Sequence, residues 1–324
     1  MEEISWLTGY RGLREGAGQV DFADRTRIEL KGEDRAAFFH NLCTNEIRRL
    51  PIGSGCEAFI TNVQGKTLAH VLVFAQPDEL VLETVPQQAE LILTHLEKYH
   101  IREKVEITDR GQSQAEIFVA GPQAETVLQR LAGGNVPSEN LHSIQTTLAG
   151  QPVWLRRADL VGGPGFLLQC ALTQIPKIAA ALAAAGVVEC PAEAFEAARI
   201  EAGFPMFGRD ITDKNLPQEV GRDAQAISFT KGCYLGQETV ARIDALGHVN
   251  RLLVGVAFEP STMPAAGQDL SAAGQKIGVV MSTSYSPQLK RPLGLAYVRR
   301  ASSEPGTRLD SEVGAAEVVR LPLA

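Results

Sequence analysis

The order of hydrophobic and polar positions indicates that the first two thirds of the chain contain two similar α/β segments. Alternating apolar residues predict strands, and apolar residues that recur every three to four positions predict helices. In residues 26–110 the pattern predicts strands at 26–31, 58–62, 67–74, 80–85 and 105–108, and helices at 33–42 and 86–99. In residues 115–190 it predicts strands at 117–120, 153–161, 166–170 and 187–189, and helices at 124–131 and 175–185. We therefore expect two ferredoxin-like β-α-β-β-α-β units packed together around a central cavity.

Both segments place a glycine between their first strand and their first helix. Gly32 lies there in the first segment and Gly121 in the second, and the sequences around them align in register. Many α+β domains share this element order by chance, and the identity between the two halves is low. Duplication of one unit and coincidence of order are therefore both open as interpretations.

The last quarter of the chain differs in pattern from the rest. Strands are predicted at 252–258, 276–282, 292–298 and 316–321, and Pro and Gly turns separate them. Because helical periodicity is weak there, we expect residues 248–324 to form a small C-terminal β-barrel. Residues 1–247 are expected to form the larger region, with residues 1–25 irregular. The predicted fold class is α+β.

A predicted helix at 191–202, which ends before Gly203, carries a charge on its apolar face. Arg199 lies on the same face as Phe195 and Ala202. An unpaired buried guanidinium is strongly unfavourable, so this position needs an acidic partner. That partner could be a carboxylate or an anionic ligand. Pairing with a neighbouring glutamate on the helix, or reach of the side chain to water, explains the position equally well.

The composition narrows the class of function. The 324 residues are 44% hydrophobic and carry a formal net charge of -7, and the sequence pI is about 5.5. An acidic chain of this kind is not expected to bind nucleic acid directly. No apolar run is long enough to span a bilayer, and Met1–Ile4 lacks the basic-then-apolar order of a signal peptide. We therefore expect a cytoplasmic protein without a membrane partner.

The five cysteines, Cys43, Cys56, Cys170, Cys190 and Cys233, are scattered along the chain. They form no C-x-x-C pair, and no histidine lies at zinc-finger spacing from them. Neither a disulfide framework nor a metal site is expected.

One cysteine lies in a distinctive run, Lys231-Gly232-Cys233-Tyr234-Leu235-Gly236-Gln237-Glu238. A short helix is predicted directly after it, from Gln237 to Leu246. The unpaired N–H groups at a helix N-terminus favour a thiolate, and Lys231 adds a positive charge two residues away. Cys233 is therefore a candidate for an activated thiol. The alternative is that it is a small hydrophobe between two turn glycines.

The run K-G-C-Y-x-G-Q-E resembles the signature of the YgfZ-type branch of folate-binding proteins, relatives of the glycine-cleavage T-protein (aminomethyltransferase). Weaker similarities to this family occur in the same order from about residue 26 to residue 323. They are Asn41–Asn45, the hairpin Asn62–Lys66, Arg199–Pro205, Phe207–Ile211, and three segments of the last domain, 252–256, 277–280 and 284–287. The resemblance implies two related α/β units, a C-terminal barrel and a folate held centrally.

The sequence departs from the transferases of this family at two positions. Where those enzymes have an acidic pair after the first hairpin glycines, this chain has Gly65-Lys66-Thr67-Leu68-Ala69-His70. Where they have a pteridine-binding Glu, this chain has Gly163. General acid or base chemistry needs a titratable group in reach of the substrate, which glycine and alanine do not supply. Histidine is the side chain whose ordinary titration range includes neutral pH, but a single histidine such as His70 beside a strand is more often structural. Aminomethyl transfer is therefore disfavoured.

The resemblance implies a folate-dependent factor that uses Cys233 in the assembly or repair of iron–sulfur clusters in client proteins. An effect on tRNA modification would then be indirect, through those clients. It implies a reactive thiolate at Cys233, electrostatic support from Lys231, and tetrahydrofolate or a derivative as cofactor. The expected supporting positions of the motif are Gly232, Tyr234, Gly236, Gln237 and Glu238. The expected folate-binding residues are Arg199, Glu201, Asp159 and Asn62.

Two other functions fit the same sequence. The first is a tetrahydrofolate-dependent aminomethyl or one-carbon transferase, suggested by the layout and opposed by the missing acid. The second is a non-catalytic docking module in which Cys233 is inert. Whether the protein is an enzyme is left open at this stage.

Overall fold

A computed structural model describes residues 5–259 and 262–323, except for the side chain of Leu246. Met1–Ile4, the segment compared above with a signal peptide, lies outside the described residues. The helices are α1 Leu7–Glu15, α2 Arg35–His40, α3 Ala89–Tyr99, α4 Ala124–Ala132, α5 Ile175–Ala184, α6 Ala192–Ala202, α7 Asp223–Ala226 and α8 Gln237–Leu246. The strands of the first two sheets are β1 Gly18–Asp21, β2 Arg25–Lys31, β3 Gly55–Thr61, β4 Thr67–Ala75, β5 Glu79–Pro86, β6 Glu106–Asp109, β7 Gln114–Ala120, β8 Ser143–Leu148, β9 Gln151–Arg157, β10 Gly165–Ala171 and β11 Val188–Glu189. The remaining strands are β12 Arg251–Phe258, β13 Asp269–Ala272, β14 Gln275–Ser286, β15 Arg291–Arg299, β16 Arg308–Ser311 and β17 Gly314–Val319.

Two open sheets and one closed barrel form the framework. The first sheet has the strand order β3-β4-β5-β2-β6, and the second has the order β11-β1-β7-β10-β9-β8. The C-terminal strands close into a six-stranded barrel, β12-β15-β14-β13-β16-β17. The predicted α+β fold of two sheet-containing units and a C-terminal barrel is confirmed. No helix of the described part of the chain is long and apolar enough to cross a membrane.

The N-terminal segment differs from its prediction as an irregular stretch. It forms α1 and β1, and β1 inserts into the second sheet between β11 and β7. The sequence pattern did not predict α1 because Gly9 and Gly12 occupy positions where apolar side chains would have produced a helical periodicity. Gly9 is needed for close packing, since a Cβ there would lie 2.9 Å from Cδ of Pro191. The first helix therefore packs against the start of α6 through a surface that hydropathy does not reveal.

A buried ionic cluster joins the two sheets. Arg25 and Glu83 of the first sheet pair at 2.6 Å, and Arg156 and Glu116 of the second pair at 3.0 Å. Burial, and then the nearby charge of Glu83, raise the pKa of Glu116 to about 8. Burial also opposes ionisation of Glu83, but Arg25 and its neighbours outweigh that effect and lower the pKa of Glu83. Near neutral pH, Glu116 is therefore protonated and donates to the Glu83 carboxylate across the interface.

The Glu116 proton predicts how stability depends on pH. Between the ordinary pKa of 4.5 and the native value of about 8, the folded protein holds a proton that the unfolded chain has lost. This group therefore makes stability fall as pH rises through that window. Glu116→Gln keeps an N–H donor toward Glu83 and does not titrate, so it should flatten the decline between pH 5 and 8 in urea unfolding.

Glu83→Gln is the matched control for this prediction. It removes the carboxylate that Arg25 and Arg156 need, so we expect a loss of about 3–5 kcal/mol across the same pH range. An unchanged pH slope in Glu116→Gln would contradict the protonated state of Glu116.

Candidate functional site

The Lys231–Glu238 motif is a loop that is fixed to the first sheet domain by its lysine. Lys231 is buried, and its Nζ donates to the carbonyl oxygens of His40 at 2.6 Å, Cys43 at 2.7 Å and Asn45 at 2.8 Å. These carbonyls lie at and just beyond the C-terminal end of α2, where backbone acceptors lack helical partners. Burial lowers the pKa of Lys231. The lysine charge is thus directed at three backbone carbonyls rather than left in solvent.

The close approach of Gly236 in the loop to Gly65 in the β3–β4 turn explains the shape of the loop. Gly236 has a positive φ of 83°, and a Cβ there would lie 2.4 Å from the Asn62 carbonyl oxygen and 2.8 Å from Cα of Gly65. The β3–β4 hairpin turn therefore contacts the loop backbone to backbone. Asn62 stabilises that turn, because its Oδ1 accepts from the backbone N–H groups of Gln64 at 2.9 Å and Lys66 at 3.0 Å.

Cys233 is exposed on this anchored backbone. Tyr234 is buried on one side of it and Lys231 on the other, while Gly232 and Cys233 are exposed. Gln237 and Glu238 form the first turn of α8, and the backbone N–H of Gln237 donates to the Tyr234 carbonyl at 3.1 Å. The motif therefore presents one thiol on a fixed loop immediately before a helix.

The other four cysteines are enclosed. Cys43, Cys170 and Cys190 are buried, and Cys56 is half-buried. Burial raises the pKa of Cys43 and of Cys170 to about 11, raises that of Cys190 to about 12, and also raises that of Cys56. Cys233 is the exposed cysteine of the five. Among the described residues, no group of three His, Cys, Asp or Glu side chains is placed to hold a metal ion.

Arg199 is fully buried and engaged by protein groups. Its guanidinium lies 2.8 Å from Asp210, donates to Glu196 at 2.8 Å and donates to the Phe204 carbonyl at 3.0 Å. Asp210 also accepts from the hydroxyl of Ser282 in the barrel. Glu196, a neighbouring glutamate on the helix, is one of the partners expected from the sequence and does pair with Arg199. Asp210 supplies a second negative charge. The structure thus places Arg199 where α6, the following loop and the barrel meet.

Glu201, the second folate candidate on α6, joins three parts of the chain. Its carboxylate accepts from Tyr10 at 2.7 Å, from Arg14 at 2.7 Å and from the Ser286 hydroxyl. The partners come from α1 and β14, so the contact ties the N-terminal helix and the barrel to α6. Arg199 and Glu201 therefore stabilise the domain arrangement, and both are occupied by partners within the chain.

Asp159, in contrast, lines an open depression of about 300 Å³ at the edge of the second sheet. We call it the outer pocket, and its lining residues are Arg157, Asp159, Gly162, Gly163, Pro164, Ala202, Phe204, Arg222 and Pro322. Asp159 accepts from Arg157 Nε at 3.1 Å, and its side chain is 30% exposed. A Cβ atom at Gly163 would have no described atom within 4 Å apart from its chain neighbours. The pocket therefore combines one accessible carboxylate, two guanidinium groups and free space beside Gly163.

Phe204 separates the outer pocket from a second cavity between the sheets. This inner cavity, lined by Arg25, His70, Glu83 and Phe204 among others, has a volume of about 20 Å³. That is room for about one water molecule. The outer pocket is therefore the larger of the two spaces, and the inner cavity is too small for a ring-sized ligand.

Arg222, Glu57 and His70 form a series of contacts that begins at Phe204. The Arg222 guanidinium lies 5.1 Å from the centre of the Phe204 ring, and Arg222 Nε donates to Glu57 at 2.5 Å. Glu57 in turn pairs with His70 Nε2 at 3.1 Å. Burial opposes ionisation of Glu57, but His70 and Arg222 outweigh it and lower the pKa of Glu57 to about 2. His70 is therefore a buried partner of a carboxylate.

Sequence reasoning missed Phe204, Arg222 and Glu57 as neighbours of the pocket. Glu57 and Arg222 are 165 positions apart, so no local motif links them. The available signal was a charged residue, Glu57, inside the otherwise apolar run of β3.

Comparison with known proteins agrees with this architecture. Residues 5–231 match the family model described as the GCVT N-terminal domain, and residues 251–324 match the glycine cleavage T-protein C-terminal barrel domain. The chain belongs to the glycine cleavage T-protein family.

Relatives in this family cover nearly the whole chain. An aminomethyltransferase of Symbiobacterium thermophilum is 29% identical in a 320-residue alignment that covers 94% of this chain and 84% of the relative. An aminomethyltransferase of Streptomyces avermitilis is 28% identical in a 304-residue alignment that covers 91% of this chain and 82% of the relative. The crystal structure of glycine cleavage system aminomethyltransferase T from Bartonella henselae has a TM-score of 0.89 at 22% identity, covering 98% of this chain and 88% of that one. That structure shows the same fold.

Proposed function

We propose that this T-protein family member is of the YgfZ type: it binds tetrahydrofolate or a derivative in the outer pocket and presents Cys233 to iron–sulfur client or assembly proteins. The observation that carries the proposal is the exposure of Cys233 on a loop whose neighbouring side chains Lys231 and Tyr234 are buried. An exposed thiol on a fixed backbone can reach a metal or sulfur atom carried by another protein. Consequences for tRNA modification would follow through the client enzymes.

The outer pocket fits a folate in its donor set. A pterin ring has adjacent N–H donors that a carboxylate accepts, and Asp159 is the carboxylate of the pocket. The anionic glutamate part of a folate needs cations, and Arg157 and Arg222 line the same pocket. The space beside Gly163 offers room where transferases of this family carry a glutamate. Folate would supply a one-carbon carrier, and these residues would bind and orient it.

Calorimetric titration with tetrahydrofolate tests the pocket. Asp159→Asn removes the charge but keeps the size of the side chain, so we expect affinity to fall at least about tenfold. Asp213→Asn, an exposed aspartate away from the pocket, should bind like the wild type. Equal binding by both variants would remove Asp159 from the site.

Iron–sulfur chemistry is assigned to Cys233 because the chain offers no second exposed cysteine. One thiolate cannot hold a cluster without ligands from elsewhere, so the cluster is cargo that a client or assembly protein shares. The fixed loop keeps the sulfur facing outward during such a contact. Lys231 contributes here by anchoring the loop.

Two measurements on Cys233→Ser test this role. In the folded wild type, iodoacetamide should modify one thiol of five, and in the variant none, because the other four are enclosed. In a deletion strain, the variant should fail to restore the activity of iron–sulfur client enzymes. Restoration equal to the wild type would favour the docking module with an inert cysteine.

A tetrahydrofolate-dependent aminomethyl or one-carbon transferase is the second candidate, favoured by the names of the relatives. The residues from Gly65 to His70 do not favour this reaction. Lys66 donates to the Lys214 carbonyl and His70 pairs with Glu57, so both side chains are engaged by protein groups. No methylenetetrahydrofolate in a glycine-cleavage assay would exclude this candidate. Its formation would replace the first proposal.

A further inference from the structure

A third depression, separate from the outer pocket and from Cys233, lies where α7 and α8 meet the barrel. It has a volume of about 140 Å³ and shares no lining residue with the outer pocket. Its polar lining includes Gln218, Asp223 and Asp244, and its apolar lining includes Phe229, Ile243 and Leu252. We propose that this pocket binds a primary ammonium group that carries a short alkyl chain.

The first support is a buried acceptor without a donor. Gln218 is 6% exposed, and its Nε2 donates to the Val240 carbonyl at 2.7 Å. That bond fixes the amide orientation, so Oε1 is the atom left facing the pocket. Gln218 Oε1 and Asp223 Oδ1 are both buried, and neither has a hydrogen-bond partner within the part of the chain that the structure describes. Buried polar atoms in folded proteins are normally satisfied, so two such acceptors on one pocket indicate a missing donor.

The second support is an excess of carboxylates over cationic groups in the pocket lining. Burial, and then the like charge of Asp244, raise the pKa of Asp223 to about 6. Among the described residues, neither carboxylate forms an ion pair within the chain. Two carboxylates, Asp223 and Asp244, line this partly buried pocket against one guanidinium, that of Arg300, and the excess of negative charge favours a cation. Burial of a carboxylate costs free energy unless a cation compensates its charge.

The choice of an ammonium over a metal ion follows from the ligand set. No three His, Cys, Asp or Glu side chains of the described chain come together at metal-binding distance. An ammonium group has three N–H donors, which match Gln218 Oε1 and the two carboxylates. Phe229, which is 47% exposed, adds an aromatic face suited to a cation. Ile243 and Leu252 provide the apolar surface that an alkyl chain would cover.

The test uses n-butylamine as the probe and 1-butanol as its neutral counterpart, in NMR titrations of the full chain at pH 7.5. We expect saturable binding of butylamine and at least tenfold weaker binding of butanol. Asp223→Asn should weaken butylamine at least tenfold, whereas Asp310→Asn, an exposed aspartate of the barrel, should not change it. Asp244→Asn, at an exposed position, serves as a second variant and should also weaken butylamine binding.

The pH dependence gives a readout that a structural defect would not produce. Butylamine affinity should fall as pH decreases below about 6, because Asp223 then takes up a proton. The other titratable or charged groups on the pocket are Asp244, His248 and Arg300. The fall should be smaller in Asp223→Asn, which retains only those groups.

A further probe distinguishes two sources of the amine. If Nα-acetyl-lysine N-methylamide binds as well as butylamine, a lysine side chain of another protein is the ligand. If butylamine alone binds, the ligand is a free amine, and both results support the proposal. Equal binding of butanol, no saturable binding of butylamine, or unchanged binding in Asp223→Asn would overturn it. The folate and labelling experiments above are unaffected by these outcomes.

Discussion

Replacement of Arg199 by methionine is expected to lower the free energy of unfolding by about 3–5 kcal/mol. Methionine fills much of the same volume but leaves Asp210 as a buried carboxylate without its cation, because both side chains of the pair are 0% exposed. The Phe204 carbonyl would also lose its donor. Urea unfolding of the two proteins at neutral pH measures the difference.

Arg209→Met is the matched control. Arg209 pairs with Glu196, which is also a partner of Arg199, but the Arg209 side chain is 59% exposed. An exposed pair contributes little, so this variant should lose less than about 1 kcal/mol. Equal losses in both variants would contradict a special role for the buried pair.

The Arg199→Met variant also separates two roles for Arg199. If it stabilises the junction, the Arg199→Met protein should bind tetrahydrofolate with unchanged affinity under conditions where it stays folded. If it contacts folate, affinity should fall while stability changes little. The enclosed position of Arg199 favours the first outcome.

Local pattern predicted the elements that have a single apolar face. The bounds of α8, Gln237–Leu246, agree with the sequence prediction, because a stripe of apolar residues and a terminal glycine define them. The hairpin β3–β4 was also predicted, since alternation around Gly65 is clear. In contrast, β8, β13 and β16 were not predicted, because they are short and their polar residues hide the alternation.

The site was predicted less completely than the fold. Sequence resemblance identified the loop that carries Cys233, but spacing does not fix the direction of a side chain. Lys231 lies two residues from Cys233, yet its Nζ reaches carbonyls about 190 positions away in the chain. The pocket depends on Arg222 and Glu57, which only the fold brings together. Long-range ion pairs of this kind have no local sequence signal.

Lys231→Met should lower the free energy of unfolding by at least about 3 kcal/mol. Three carbonyl oxygens would lose a charged donor at once, and a buried unsatisfied acceptor is costly even alone. Methionine keeps the aliphatic part of the side chain, so the change isolates the Nζ contacts. Urea unfolding measures the loss, and Lys66→Met, which removes one exposed bond to the Lys214 carbonyl, is the control.

Thiol labelling in the same variant shows how the loss arises. Since Lys231 binds the carbonyls of Cys43 and Asn45, its removal should loosen the segment that covers the buried Cys43. Cys43 should then react with iodoacetamide faster than in the wild type, whereas Lys66→Met should leave its rate unchanged. A variant as stable as Lys66→Met, with Cys43 still protected, would show that the loop holds its position without Lys231. The lysine would then be free to act on Cys233, as the sequence alone suggested.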